Sequence, residues 1–324
     1  MLLSMEEGSD YRPWDELIPD ALGLIFGKLC LQEILTVVPR VCKSWSRAVL
    51  GPYCWQEIDI EEWSEVSLPE QLDRMLRMLI TRSSRSLRKL SVTNLRNDAM
   101  FPFLAEHAGS LQTLKLPRST ISDSIIEQIS GRLSNLTFLD LSYCSKIDAH
   151  ALELVGNKCK HLEGLCRNMH PLDKADKAVQ EDEANAIATT MPSLKHLEMA
   201  YHQIGTQNAL KILSSCTGLE YMDLRGCWDV ELDDKFLLEK FPKVKVLGPF
   251  VMDYYQMNNS EEDECFEFSD EDLAWEFVHG EMGGYDYESY DEMWDDDEGR
   301  LEELELRFYE GSQDAGLYGW PPSP

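Results

Sequence analysis

The sequence lacks the signals that would direct it into or across a membrane. Met1 to Asp10 contain no basic segment followed by an apolar run, so we expect no secretory signal. No stretch comes near the roughly 18 uninterrupted apolar residues that a membrane-spanning helix requires. Both absences predict a soluble, intracellular protein without a membrane partner.

The sequence also lacks the motifs of common enzymes and metal sites. It contains no nucleotide-binding glycine loop, no HExxH or GxSxG motif, and no Cys and His pair in a recognisable catalytic setting. Its nine cysteines are scattered without a CxxC pair, which is typical of reduced thiols in an intracellular protein. We therefore expect no catalytic residue, no cofactor and no metal site.

Basic residues are scarce towards the C-terminus. Most of the formal net charge of −29 comes from residues 253–324, which hold 24 acidic residues and only two basic ones. This tail also carries fourteen aromatic residues without helical or strand period, which favours a partly disordered segment that docks on its own chain or on a partner. Because binding to phosphates depends on Lys and Arg, direct nucleic-acid binding is disfavoured.

Near the N-terminus, apolar residues follow helical spacing in three successive stripes. The spacing predicts three short helices within residues 13–60, behind a disordered segment at 1–12. Pro19 opens the first helix, Pro39 interrupts the second, and Gly51 with Pro52 closes the third. The stripes consist of Leu22, Ile25, Phe26 and Leu29; of Leu31, Ile34, Leu35 and Val38; and of Val41, Trp45, Ala48 and Val49.

A repeated pattern occupies residues 87–252, after a predicted linker helix region at 61–86. Apolar-x-x-apolar-x-apolar begins at Leu87, Leu111, Leu136, Leu162, Leu194, Leu219 and Val244, with successive starts 24, 25, 26, 32, 25 and 25 residues apart. A period in the twenties is the mark of leucine-rich repeats. Each repeat also carries a helical stripe, so the predicted fold class is α/β: about six repeats form a solenoid with parallel strands on its concave face and helices outside.

The strand residues between the leucines are candidates for binding a partner. Because side chains alternate along a strand, the leucines face the core and the residues between them face the concave side. These residues mix charges with aromatic and His side chains, which suits a protein surface better than a small-molecule pocket. The candidates are Lys89, Lys115, Phe138, Asp140, His196, Glu198, Tyr221, Asp223 and Arg225.

One repeat departs from the pattern. Arg167 stands at the last apolar position of the fourth signature, and the interval of 32 residues predicts an insertion near 168–184. A buried Arg without a partner would cost several kcal/mol, so either this Arg is paired or the strand bulges. Loops on a rigid scaffold often carry function, which makes Arg167 and His170 further candidates for partner binding. An ordinary tolerated insertion explains the interval equally well.

The N-terminal stripes resemble an F-box. That motif consists of Leu-Pro, an Ile-Phe pair, a leucine pair and then Val-Cys-Lys-x-Trp, and this sequence follows it in order, except that Ile18 separates Leu17 from Pro19. The cysteines near the repeat turns also resemble those of the leucine-rich repeats that often follow an F-box. The whole arrangement is similar to the plant F-box/leucine-rich-repeat proteins. The matching F-box residues are Leu17, Pro19, Leu22, Ile25, Phe26, Leu29, Leu35, Val38, Val41, Cys42 and Trp45.

This resemblance implies a non-catalytic substrate receptor of an SCF (Skp–cullin–F-box) ubiquitin ligase, acting in the nucleus, the cytoplasm or both. The F-box residues would dock on the Skp-type adaptor of the cullin-based ligase. The repeats would recruit a protein client for ubiquitination and proteasomal degradation, and the resemblance allows a client in RNA silencing, such as an Argonaute. The alternative is a ligase-independent repeat scaffold in which the helices only cap the solenoid.

Overall fold

The computed structural model describes Trp14, residues 17–170 and residues 177–250. The segment predicted to be disordered at 1–12 and the acidic tail predicted at 253–324 lie outside the described residues. None of the helices within the described ranges is both long enough and apolar enough to cross a bilayer.

The N-terminal module contains four helices where the stripes predicted three. They are α1 (Pro19–Phe26), α2 (Leu31–Thr36), α3 (Val38–Val41) and α4 (Lys43–Leu50), followed by a 3₁₀ turn at Pro52–Trp55. The prediction that Pro39 ends the second helix is wrong. The helix ends before Val37, and Pro39 lies in the first turn of α3. Proline is tolerated there, since the first-turn amides have no partner within a helix.

The rest of the described chain forms a parallel sheet whose eight strands lie in sequence order. The strands are β1 (Glu57–Asp59), β2 (Lys89–Ser91), β3 (Thr113–Lys115), β4 (Phe138–Asp140), β5 (Gly164–Cys166), β6 (His196–Glu198), β7 (Tyr221–Asp223) and β8 (Lys245–Leu247). Helices α5 (Glu61–Val66), α6 (Pro69–Arg82), α7 (Met100–His107), α8 (Asp123–Ile129), α9 (Ala149–Lys158), α10 (Lys177–Thr190), α11 (Thr206–Ser215) and α12 (Asp234–Lys240) connect them. This alternation of parallel strand and helix is the predicted α/β repeat architecture.

The middle residue of each strand builds the core. From β1 to β7 these residues are Ile58, Leu90, Leu114, Leu139, Leu165, Leu197 and Met222, and all are buried. They pair in register from strand to strand, so an unbroken apolar ladder runs beneath the sheet. Each fully buried side chain of this size contributes roughly 1.5–3 kcal/mol. Since a strand has only three residues, this stacking between neighbouring repeats is what stabilises it.

The sheet begins one strand earlier than the leucine pattern predicted. β1 pairs in parallel with β2, and α5 and α6 follow it, so the segment predicted as a linker carries the helices of an additional repeat unit. Trp55, Ile58 and Ile60 occupy the three apolar positions of the repeat signature and are buried. A tryptophan in place of the first leucine hid this copy of the pattern.

Four cysteines link successive repeats. The thiol of Cys144 donates to the carbonyl of Leu116 at 3.2 Å, and the thiol of Cys227 donates to that of Met199 at 3.1 Å. Burial raises the pKa of Cys144 to about 11 and that of Cys227 to about 12, so both remain protonated donors. Cys159 and Cys216, before the next leucine, make equivalent bonds to the preceding repeat. The repeat cysteines are therefore weak structural donors.

Arg167 lies in the core, so the prediction that it contacts a partner is wrong. The strand does not bulge: its neighbour Cys166 pairs in register with Glu198. Both carboxylate oxygens of Glu183 on α10 accept hydrogen bonds from the guanidinium, at 3.0 and 3.1 Å. Its remaining N–H groups donate to the carbonyls of Leu141, Cys144 and Ile147 at 3.0–3.3 Å. All five donors are satisfied, which is the condition under which a buried charge is tolerated.

Much of the predicted insertion is regular structure. Helix α10 spans Lys177–Thr190, so the C-terminal part of the segment predicted at 168–184 belongs to the helix of the repeat. Residues 171–176, before this helix, lie outside the described residues. The longer interval therefore serves in part to deliver Glu183 to Arg167.

His202 completes the polar cluster around Arg167. Its Nε2 atom lies 2.6 Å from the carbonyl oxygen of Arg167, which assigns the proton to Nε2, where the ring donates. Burial, and then the positive charge of Arg167, lower the pKa of this imidazole to about 3. The ring is consequently neutral at physiological pH.

Candidate protein-binding surfaces

The helical module leaves an apolar surface exposed. Nine of the fourteen large apolar side chains that are exposed in the described part of the chain belong to its first 50 residues. They are Trp14, Leu17, Ile18, Leu24, Ile25, Leu29, Val37, Val41 and Leu50, which we call the apolar patch. Soluble proteins seldom concentrate exposed apolar residues in this way unless another molecule covers them.

The predicted adaptor-binding residues divide into two groups. Leu22, Phe26, Leu35 and Val38 are buried and form the core of the module itself. Leu17, Pro19, Ile25, Leu29 and Val41 are exposed, and Cys42 and Trp45 are half-buried. The ring of Trp45 lies 4.9 Å from that of Phe26, which ties α4 to α1. The regular stripes are thus mainly the core of the module rather than its outer face.

Sequence reasoning missed Trp14, Ile18, Leu24, Val37 and Leu50, although all five are exposed. Leu24 and Leu50 lie in helices but off the stripes, at positions where a surface helix ordinarily carries polar residues, whereas Ile18 and Val37 precede the first residues of α1 and α3. An apolar residue off the stripe was therefore the signal that could have found them.

The module is anchored to the repeats through Trp55. This side chain is almost wholly buried, and its indole N–H donates to the carbonyl of Val49 on α4 at 2.7 Å. The guanidinium of Arg82, at the end of α6, lies over the ring at 5.6 Å. Trp55 therefore belongs to the core of the module and to the core of the first repeat unit.

The second surface is the open face of the sheet, where the first and third residues of each strand lie opposite the buried middle residue. The first residues form one row across the strands and include Phe138, Gly164, His196 and Tyr221. The rings of His196 and Tyr221 stack at 4.6 Å with an angle of 6°, and the Phe138 ring lies 6.1 Å from that of His196. These three rings form what we call the aromatic row.

Gly164 makes the aromatic row continuous. It lies between Phe138 and His196 in the sheet register, on the strand that separates them. A Cβ atom at this position would lie 2.4 Å from Cδ2 of Phe138, so the phenyl ring occupies the space above the glycine. Lys115 lies on the other side of Phe138, with its Nζ 5.9 Å from the ring centroid, within the range of a cation–π contact.

The third residues form a largely acidic row beneath the aromatic one. Asp140, Cys166, Glu198 and Asp223 occupy it on four adjacent strands. Arg225 neutralises Asp223, with Nε and Nη2 both close to Oδ2, at 3.0 and 2.7 Å. Asp140 and Glu198 are held by uncharged donors instead, the amide N–H of Ser142 at 2.8 Å and the side-chain amide of Asn168 at 2.9 Å.

The environments of these two carboxylates move their pKa values in opposite directions. Burial raises the pKa of Asp140, and the nearby Glu198 adds to this shift against the hydrogen bonds of Ser142. Burial also acts to raise the pKa of Glu198, but the hydrogen bonds from Asn168 and His196 outweigh it, and the net pKa lies below its usual value. Negative charge therefore persists at Glu198.

The open face brings together nine of the eleven predicted partner-binding residues. Lys89 is ion-paired with Asp59 at 2.9 Å, and Arg225 is exposed above Asp223, which is itself buried. His170, half-buried, lies at the end of a described segment, directly before residues 171–176. Arg167 is excluded from this surface by its burial.

One group of side chains on the open face has the composition of a metal site. The ligand atoms of Cys166, His196 and Glu198 all lie within 4.8 Å of one another. The sequence predicted no metal, because Cys166 lies 30 residues before His196, and only the register of β5 with β6 brings them together.

Comparison with known proteins identifies the family. No protein-family model matches the chain. The F-box protein FBW2 of Arabidopsis thaliana is 57% identical over 99% of this chain and 100% of its own length. The Arabidopsis F-box protein SKIP19 is 31% identical over 89% of this chain and 91% of its own, and the putative F-box/LRR-repeat protein 23 is 28% identical over 76% and 55%.

Among solved structures, the tropomodulin C-terminal domain of Caenorhabditis elegans is similar at 12% identity. It covers 45% of this chain and 92% of its own with a TM-score of 0.36, a similarity too low to bear on the fold. FBW2 and SKIP19 match 99% and 89% of the chain, and the name of the third relative describes an F-box together with leucine-rich repeats. The chain therefore belongs to the plant F-box/leucine-rich-repeat proteins.

Proposed function

We propose that this protein is the substrate receptor of an SCF-type ubiquitin ligase and that the apolar patch docks on the Skp-type adaptor. The observation that supports this most directly is the concentration of exposed apolar residues on the F-box helices. Burial of apolar area is the main source of affinity in a stable interface, and the centre of such an interface is depleted of charge. Ile18, Ile25 and Val41 are each at least 42% exposed and would be covered by the adaptor.

A module that only capped the solenoid would also be anchored through Trp55. Such a cap needs a polar outer face, as the terminal units of repeat proteins have. The apolar patch is the reverse of this, and it favours docking over the ligase-independent scaffold.

Adaptor docking is tested by charge substitution with matched controls. Ile25→Asp and Val41→Asp should each weaken binding of a purified Skp-type adaptor about 30-fold or more, the loss expected for a hot-spot residue. Val66→Asp and Leu238→Asp alter apolar residues outside the module that are even more exposed and should leave binding unchanged. Equal losses in both pairs, or none in either, would refute docking through the apolar patch.

We propose further that the open face recruits a protein client and that the chain contributes no catalytic group. The conjugating enzyme, brought by the other ligase subunits, would carry out the transfer, and this chain would act by raising the local concentration of client lysines. This role belongs in the nucleus or the cytoplasm. An Argonaute is a client that the family resemblance allows, and it is the one that we propose to test.

Client binding is tested in cells with the proteasome blocked. Proteins recovered with the intact chain should include an Argonaute, and Tyr221→Ala should lose it while retaining the adaptor. Leu238→Ala, on the opposite side of the repeats, is the control. Recovery of the same client with the Tyr221 variant would show that the client does not bind at the aromatic row.

A further inference from the structure

We propose that Cys166, His196 and Glu198 form a site for a thiophilic divalent cation, Zn²⁺ in particular, on the open face of the sheet. The ligand atoms of the three side chains lie within 4.8 Å of one another. This inference is independent of adaptor docking and of the identity of the client.

The sheet register brings the three ligands to one point. Cys166 and Glu198 are register partners on the adjacent strands β5 and β6, so their side chains lie side by side. His196 is two residues before Glu198 on the same strand and therefore points to the same face. Its Nε2 atom already lies 2.7 Å from Oε1 of Glu198.

The separations match the requirements of zinc. Zinc lies about 2.3 Å from a sulfur and about 2.0 Å from a nitrogen or oxygen, so its ligands in a tetrahedral site are about 3–4 Å apart. The observed separations, 2.7 Å between Nε2 of His196 and Oε1 of Glu198 and at most 4.8 Å for the other pairs, bracket this range. Three protein ligands would leave the fourth position of a tetrahedral site unfilled by the protein.

The donor set selects the class of metal. A thiolate with an imidazole favours Zn²⁺ over Mg²⁺ and Ca²⁺, which prefer oxygen ligands. Asp140, the register partner of Cys166 on β4, adds a further negative charge beside the thiol. Lys115, the register partner of Asp140 on β3, partly offsets the two carboxylates. A dication at this position would neutralise the excess negative charge.

Contacts outside the ligand set hold two of the ligands in place. The side-chain amide of Asn168 donates to Oε2 of Glu198 at 2.9 Å, which leaves Oε1 directed towards His196. The imidazole of His196 is stacked on Tyr221, which fixes the plane of its ring. Supporting interactions of this kind orient the ligands in established metal sites.

Coordination exchanges a proton for the metal. The Cys166 thiol loses its S–H bond, a sulfur–metal bond forms, and the proton leaves to solvent. No oxidant or reductant is involved. The ring proton, which Nε2 donates to Oε1 of Glu198 without the metal, moves by exchange with solvent to Nδ1, and the imidazole then binds through the lone pair on Nε2.

The test uses the full chain, stripped of metal with a chelator and titrated with Co²⁺ as a spectroscopic probe. We expect one Co²⁺ per chain to give the thiolate-to-cobalt charge-transfer absorption of a tetrahedral site, and Zn²⁺ to displace it. Cys166→Ser should abolish this absorption, and His196→Gln should weaken Co²⁺ binding by more than about tenfold. Cys159→Ser removes a buried thiol elsewhere, and Cys265→Ser removes the thiol of the tail; both should retain the wild-type spectrum.

Two results would overturn the site: no charge-transfer absorption in the wild-type chain, or an unchanged spectrum in His196→Gln. The second variant guards against misfolding, because His196 is only half-buried and its replacement does not enter the core. Ile25→Asp should leave the cobalt spectrum unchanged, so a failure of adaptor docking and a failure of the metal site can be told apart.

Discussion

The helical module and the open face of the sheet use different chemistry on their exposed surfaces. The module exposes Ile18, Leu24 and Val41, which offer neither charge nor hydrogen bonds to a partner. The open face presents stacked rings above carboxylates, with nearly every charge held by a neighbour. An apolar surface of this kind suits one constant partner, whereas a patterned polar surface can discriminate among partners, since a wrong one leaves polar groups unpaired.

The two regions also differ in what stabilises them. The module is small, and buried Leu22 and Phe26 supply its core together with Trp55, which it shares with the first repeat unit. The repeats have an extended apolar ladder and, at Arg167, a fully satisfied buried ion pair. Substitutions that alter stability without binding, or binding without stability, therefore test this difference between the two regions.

The largest effect is expected from breaking the buried ion pair. Glu183→Ala leaves the Arg167 charge buried without its partner, and the free energy of unfolding should fall by about 3–5 kcal/mol in urea denaturation. Asp182→Ala alters an exposed acid on the same helix and should change it by less than about 0.5 kcal/mol. A loss below 1 kcal/mol for Glu183→Ala would mean that the pair contributes little to the repeats.

Truncation of a buried and of an exposed residue of the module should affect different properties, stability in the first case and adaptor binding in the second. Leu22→Ala opens a cavity at a fully buried position and should lower the free energy of unfolding by about 2–5 kcal/mol. Ile25→Ala, three residues later and 42% exposed, should lower stability by less than about 1 kcal/mol while weakening adaptor binding. Equal stability losses in thermal denaturation would contradict the division between core stripe and apolar patch.

Acid should destabilise the repeats through His202. The pKa of this imidazole is about 3 in the folded chain and about 6.5 when unfolded, so stability is complete above pH 6.5 and falls as the pH drops towards 3. Between pH 7.5 and pH 5 the expected contribution is a loss of about 2 kcal/mol.

The comparison with His202→Gln isolates this contribution. Gln still offers an N–H to the carbonyl of Arg167 but does not titrate, so the variant should show a pH dependence smaller by that amount. His161→Gln, at an exposed position, should keep the wild-type slope. Parallel pH profiles for wild type and His202→Gln would show that the ring is not held neutral by burial.

The smallest effect concerns the aromatic row. Gly164→Ala places a methyl group where the Phe138 ring lies and should cost about 1 kcal/mol, at the low end for overpacking because the ring is half-exposed and can shift. Client binding should fall with it, while adaptor binding should not. Gly131→Ala has open space around its Cβ position and is the matched control. Unchanged client binding would remove the aromatic row from the client site.

The repeat architecture was predictable because its signal is periodic. Leu87, Leu111 and Leu136 recur at a nearly constant interval, and every strand from β2 to β8 falls within the predicted copies. β1 was not predicted, since Trp55 and Ile58 carry the same pattern without a leucine. The pattern of apolar and polar residues therefore predicts which positions are buried better than a search for leucine does.

The surfaces were less predictable because they depend on register and on what remains exposed. Helical spacing selects Leu22 and Ile25 alike, and only the packing of the module separates the buried residue from the exposed one. Arg167 was predicted to be paired or to lie on a bulge, and its partner Glu183 could not be identified because it lies on a later helix. The approach of Cys166 to His196 likewise follows from the pairing of β5 with β6.

The position of Trp55 determines where this chain can be divided into parts that fold separately. Its indole N–H is bonded to the last turn of α4 while its ring fills the first leucine position of the repeats. The F-box and the solenoid should therefore unfold in one cooperative transition instead of two. A chimera that exchanges F-boxes between receptors with a junction near residue 60 would divide this shared core. The exchangeable unit is better taken through α6, so that the tryptophan travels with the helix that covers it.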